Sequence, residues 1–113
     1  MITIRMSWKA LELKAEGHAG GGNYGQDIIC AGISAIIQSL AQYMLRYAHT
    51  MWPVIRLEPG SSYIRGRPIP GARKRTREAF RQAMDGLQMI ADQHPQNVKI
   101  IEEEITLWQS GTD

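Results

Sequence analysis

The reading of the fold turns on residues 9–40, KALELKAEGHAGGGNYGQDIICAGISAIIQSL. The first eight alternate apolar and polar side chains. Leu11, Leu13 and Ala15 point one way and Glu12, Lys14 and Glu16 the other, which is the two-residue period of a strand with one buried face. The period is then lost: Gly17, Gly20, Gly21, Gly22 and Gly25 fall within ten positions, and so much glycine makes any regular element costly, so a mobile loop is expected there. Beyond it a three-to-four-residue period takes over. Asp27 reads as an N-cap, and a helix is expected from Ile28 to about Ala48, with Ile29, Ile33, Ile36, Ile37, Leu40, Met44 and Leu45 covering most of its circumference. Such a helix should be largely buried, and Gly32 inside it suggests a close neighbour, because glycine costs about 1 kcal/mol relative to alanine in a helix.

On the N-terminal side, Ile2, Ile4 and Met6 share one face of a strand over residues 2–6, which pairs with residues 9–16 as an antiparallel hairpin, with Ser7 and Trp8 as the connection. On the C-terminal side, residues 51–57 and Ser61–Arg65 read as two strands about the Pro59-Gly60 turn, and Pro53 places the first of them at a sheet edge. A second helix runs from Arg73 to His94, with Phe80, Ala83, Met84, Leu87, Ile90 and Ala91 in one stripe, and Pro95 stops it. Residues 98–101 form a last strand. The order ββαββαβ gives an α+β fold, a two-layer sandwich of a mainly antiparallel sheet with two helices on it. One domain over residues 1–113 is expected, with residues beyond about 104 unassigned. Met6, Met44, Met84, Phe80 and Leu87 are candidate core residues, and Trp108 is a candidate for tail packing or a dimer contact.

Composition narrows the function. The chain has 113 residues, 43% apolar and 21% charged, which suits a folded domain and argues against disorder. One cysteine, Cys30, excludes an intramolecular disulfide and fits a reducing compartment, so a cytoplasmic location is expected. The N-terminus lacks the apolar run of a signal peptide, and polar side chains interrupt residues 28–48, which therefore read as a core helix rather than a membrane span. The net charge of +2 is unevenly spread. Residues 65–81 carry seven basic side chains and one acid, whereas residues 82–113 carry one basic and six acidic. His18, His49 and His94 lack ligand spacing, and the glycines lack both phosphate-loop and dinucleotide patterns, so neither metal nor cofactor is expected.

Chemistry converges on residues 18–30. His18 ends the second strand, the loop folds the chain back, and Cys30 then falls in the expected first helical turn. There the positive end of the helix favours a thiolate, and an imidazole within reach makes the minimal nucleophile–base pair. A single cysteine in an apolar helix is otherwise a small buried hydrophobe.

At these residues the sequence resembles the ribosomal-processing cysteine protease Prp family. The matching features are Gly17-His18-Ala19, Gly25, Asp27-Ile28-Ile29-Cys30-Ala31 and Ser34. The family pattern sets a histidine and a cysteine on either side of a glycine-containing loop, an aspartate three residues before the cysteine and a serine four after it. The resemblance implies Cys30 as nucleophile and His18 as general base, with Asp27, Ser34 and Gly17 in support. It further implies a homodimer that removes an N-terminal extension from a large-subunit ribosomal protein precursor, or that acts on a phage structural protein. The Gly20-Gly21-Gly22 run and Gly32 depart from the pattern. The competing reading is a non-catalytic ribosome- or RNA-associated protein that binds through residues 65–81, where nucleic acid is an allowed partner but not a required one. Against it, the basic stretch lacks the interleaved aromatics on which bases stack.

Overall fold

A computed structural model describes residues 1–18 and 24–104, residues 24–26 by their backbone alone. Five strands and three helices follow in the order β1 (Ile2–Ser7), β2 (Glu12–Gly17), α1 (Tyr24–Arg46), α2 (Ala48–Met51), β3 (Val54–Glu58), β4 (Ser61–Arg65), α3 (Arg73–Gln93) and β5 (Val98–Glu103), with a 3-10 turn at Pro70–Ala72 leading into α3. The sheet order is β3-β4-β2-β1-β5. Every pairing is antiparallel except β1 with β5, which is parallel. The expected two-layer α+β architecture is therefore present, with a mixed sheet.

The alternation seen in the sequence sets the register. Ile4 lies opposite Ala15 and Met6 opposite Leu13, and on the other side Leu13 faces Ile64. These side chains turn to one face and are buried with Ile29, Ile33, Ile37, Leu40 and Met44 of α1 and Phe80, Met84 and Leu87 of α3. The opposite face carries Arg5, Lys14, Glu16, Arg65 and Lys99, all exposed. The two long helices approach through reciprocal glycines. A Cβ on Gly32 would lie 3.3 Å from Cδ1 of Ile90, and one on Gly86 would lie 3.0 Å from Cδ1 of Ile36. Gly32 thus has the close neighbour expected of it.

Three expectations need correction. Residues 9–11, expected to open the second strand, form a turn together with Trp8, and Ser7 belongs to β1: Leu11 is buried in the left-handed region at φ 52° and Trp8 is buried, so the connection itself joins the core. Met51 ends a short helix capped by Trp52 at φ 45°, so the third strand begins only at Val54. Helix α1 buries one face and not most of its circumference, and Ile28 and Leu45 are each 55% exposed. Residues 27–46 have the length and apolarity of a membrane span, yet their inward stripe packs on the sheet. Trp108 and the rest of residues 105–113 lie outside the described residues, as do residues 19–23 of the glycine loop.

The basic stretch is partly built into the fold. The guanidinium of Arg81 lies 4.7 Å and that of Arg77 5.9 Å from the Trp8 ring, while Arg75 lies 5.3 Å from the ring of Tyr47. Arg73 donates to the carbonyl of Lys9 at 3.2 Å, and Arg67 Nε donates to that of Trp52 at 3.2 Å.

On the outer face the Tyr63 hydroxyl donates to a carboxylate oxygen of Glu12. That hydrogen bond, then burial, then the negative charge of Glu12 hold the phenol above its ordinary pKa, against a smaller opposing effect of Arg65. Once the pH passes the ordinary phenol value of about 10, the unfolded chain releases this proton while the folded chain retains it. Folding stability then falls as the pH climbs through the raised value. The stability advantage of the wild type over Tyr63→Phe in urea denaturation should be constant from neutral pH to about pH 9, and should shrink above about pH 10.

Candidate active site

The site is built at the end of β2, where the chain leaves the sheet. Gly17 adopts φ 106°, and a Cβ there would lie 2.2 Å from the carbonyl oxygen of Met1. No other residue fits without moving the Met1 backbone, which accounts for the glycine directly before His18. Two bonds then fix the strand end: the N-terminal ammonium donates to the carbonyl of His18 at 2.6 Å, and the Gly17 amide donates to the carbonyl of Gly60 at 3.0 Å. Gly60 is the second residue of the β3–β4 turn and has φ 75°. It presents a bare backbone to the imidazole, since a Cβ there would lie 2.8 Å from Nε2 of His18.

Facing this strand end is α1. Cys30 and Ser34 are one helical turn apart, so they share a face, and both line the same cleft as His18 and Gly17. The cleft has a volume of about 330 Å³. Ile2, Ala15, Ile33 and Ile37 give it an apolar floor, and residues 57–62 of the β3–β4 hairpin form the far wall. Cys30 is half-buried and unpaired, packed at the margin of the core. The chain thus brings Cys30, His18, Ser34 and Gly17 to one opening. Asp27 is exposed, one turn before Cys30 and outside the cleft lining.

One detail of the expected chemistry changes. Asp27 is not the N-cap, because the helix already begins at Tyr24 and Asp27 belongs to its first turn. Counting Tyr24 as the first residue, Cys30 is the seventh. Its amide lies within the helical ladder, beyond the first-turn donors that lack intrahelical partners. The favourable field of the helix start also fades within that turn. Neither the free amides nor the macrodipole is therefore placed to serve Cys30 in the expected way. The far wall was also not foreseen. Pro59-Gly60 marks a turn in the sequence, but nothing there ties it to His18 except a glycine where positive φ is needed, and Gln38, which also lines the cleft one turn beyond Ser34, gives no signal at all.

Three comparisons bear on this arrangement. A family model described as cysteine protease Prp matches residues 1–99. The ribosomal processing cysteine protease Prp of Staphylococcus aureus is 23% identical over 99 residues, which are 88% of this chain and 92% of that protein. The fold is similar to that of the S. aureus ribosomal processing protease Prp in complex with a covalently linked product peptide, with a TM-score of 0.75 at 23% identity over 91% of this chain and 100% of that one. The S. aureus enzyme in complex with a substrate peptide gives a TM-score of 0.74 at 22% identity, with the same coverage.

The contact between Gly60 and His18 can be probed directly. Gly60→Ala should cost about 1 kcal/mol of stability through the positive φ, read from the urea midpoint. Its new methyl group should also displace the imidazole. Peptide cleavage should therefore fall by more than the folded fraction does, whereas a loss matching the unfolded fraction alone would mean that the turn does not position His18.

Proposed function

The chain belongs to the cysteine protease Prp family, and from that premise we propose that it is an endopeptidase with Cys30 as nucleophile and His18 as general base, which removes an N-terminal extension from a large-subunit ribosomal protein. The single observation that carries this reading is that Cys30 and His18, held by a helix and a strand end, line one cleft open to solvent. A cysteine that served only as core packing would have no reason to share an opening with an imidazole on a clamped backbone.

In the reaction, His18 takes the thiol proton and the Cys30 sulfur attacks the scissile carbonyl carbon, forming the S–C bond. His18 then returns the proton to the leaving amine as the C–N bond breaks. Water, deprotonated by the same imidazole, hydrolyses the thioester and restores the thiol. Ser34, on the cysteine's helix face, is placed to orient substrate or water. Asp27, exposed one turn earlier and outside the cleft lining, has its supporting role from the family pattern alone, and Gly17 sets the backbone of His18. The apolar floor suits an extension with bulky apolar side chains beside the cut. A related phage structural protein would present the same chemistry.

The assembly and location complete the proposal. The exposed Ile28 and Leu45 on α1 motivate a homodimer, since burying apolar surface of this kind favours association. A lone half-buried thiol suits the cytoplasm. The non-catalytic RNA-binding alternative gains no support from the described residues, where Arg75, Arg77 and Arg81 lie over aromatic rings.

Cys30→Ala should abolish cleavage of a peptide spanning the ribosomal protein's N-terminal extension, with an unchanged circular dichroism spectrum. His18→Ala should lower kcat by about 10²–10⁴-fold. Iodoacetamide should inactivate the wild type by modifying Cys30, as read by mass spectrometry, and the substrate peptide should slow that reaction. Retained peptidase activity in Cys30→Ala would overturn the assignment.

A further inference from the structure

Strand β3 is an edge of the sheet, paired among the described residues with β4 alone. Its register decides which of its backbone groups face outward. Glu58 and Ser61 are paired across the two-residue turn Pro59-Gly60, and on the other side of β4 the bonds Gly17 N–H to Gly60 and Gly66 N–H to Leu11 turn its even-numbered positions toward β2 and its odd-numbered ones toward β3. In an antiparallel ladder, hydrogen-bonded and non-hydrogen-bonded pairs alternate. The pairs Glu58–Ser61, Arg56–Tyr63 and Val54–Arg65 are therefore the bonded ones, and Ile55 and Leu57, opposite Ile64 and Ser62, aim their N–H and C=O groups away from β4.

This edge is continuous with the cleft. Leu57 shares the helix-side face with Ile55 and Ile64, is 42% exposed, and lines the same opening as Cys30 and His18. An unpaired strand edge is a template for another extended chain, which gains affinity from main-chain bonds and specificity from alternate side chains. We infer that the substrate docks as a sixth strand on β3, exchanging main-chain hydrogen bonds with Ile55 and Leu57 and turning every second side chain toward α1 and the apolar floor of the cleft. This rests on the peptidase reading above and adds to it the conformation in which the substrate is held. A protease that grips backbone in this way requires an extended, unfolded segment, which a terminal extension supplies and a folded domain does not. The cut is thereby confined to a tail.

The test uses the full chain. In ¹⁵N-labelled Cys30→Ala, a saturating peptide spanning the extension should slow amide hydrogen exchange at Ile55 and Leu57 by at least about tenfold, while Val54, Arg56 and Glu58, already bonded to β4, change little. With the wild-type enzyme, substrate peptides N-methylated at one residue at a time should show KM raised about tenfold at alternate positions only. A bound peptide that leaves the Ile55 and Leu57 amides exchanging at their free rate would overturn the docking mode, although cleavage persisted. Protection of these two amides that grows with protein concentration in the absence of peptide would assign the edge to a second copy of the chain and likewise overturn it. If the unmodified peptide is not cleaved by the wild type at all, the peptidase reading itself fails, and the docking mode fails with it.

Discussion

The arrangement depends on a backbone constraint at residue 17. Gly17 sits against the Met1 carbonyl in a conformation closed to other residues, and it bonds to Gly60 across the sheet. Three distant points of the chain, the N-terminus, the end of β2 and the β3–β4 turn, are thereby drawn to one place, and His18 is the first side chain beyond it. A histidine in a free loop would lose orientational entropy each time it engaged a thiol. One whose carbonyl accepts a hydrogen bond from the ammonium and whose ring lies beside a bare glycine has its backbone fixed on folding, which removes part of that cost. The positioning of the imidazole is a property of the sheet.

The cysteine is held by different means. Helix α1 is fixed by its inward isoleucines and by the paired glycines through which it meets α3, so Cys30 inherits the rigidity of the helix–helix contact. Because the residue is in the second turn, its environment owes less to the helix start than to the cleft: a half-buried sulfur, an apolar floor and a neighbouring imidazole. In the proposed reaction His18 would take the Cys30 proton, and on that reading the strand-end clamp and the helix packing are two halves of a single device.

Much of this was legible in the sequence, and the reasons are local. Period-two alternation in β1 and β2, the Ser61–Arg65 strand and the stripe of α3 are each decided by one buried face, and β1, the Ser61–Arg65 strand and α3 match their expected bounds closely. That the stretch around His18 and Cys30 returns to one place was readable from the strand, glycine loop and helix in succession, and the fold does bring His18, Gly17, Cys30 and Ser34 to one cleft. What escaped was non-local or depended on a few dihedral angles. Leu11 and Trp52 adopt positive φ without being glycine, and no propensity announces that, so the first turn and the start of β3 were displaced. The helix start was missed because Asp27 is a good cap by type, whereas the helix begins three residues earlier. The burial of α1 was overestimated because an apolar sequence does not say how many neighbours will cover it.

The basic stretch also has a structural part in the fold. Seven cations in seventeen residues look like a surface for an anion. In the fold, Arg77 and Arg81 lie over Trp8, whose indole nitrogen donates to Glu102 at 3.3 Å, so that a buried aromatic ring links the cationic helix start to the acidic end of β5. Arg73 ties the same helix start to the β1–β2 turn through Lys9. Cation–π contacts of this kind are each worth about 0.5–1 kcal/mol when exposed and more when desolvated. Their effect here is to fasten α3 to the β1–β5 side of the sheet. Part of the charge asymmetry along the sequence thus serves to join two distant segments of the fold.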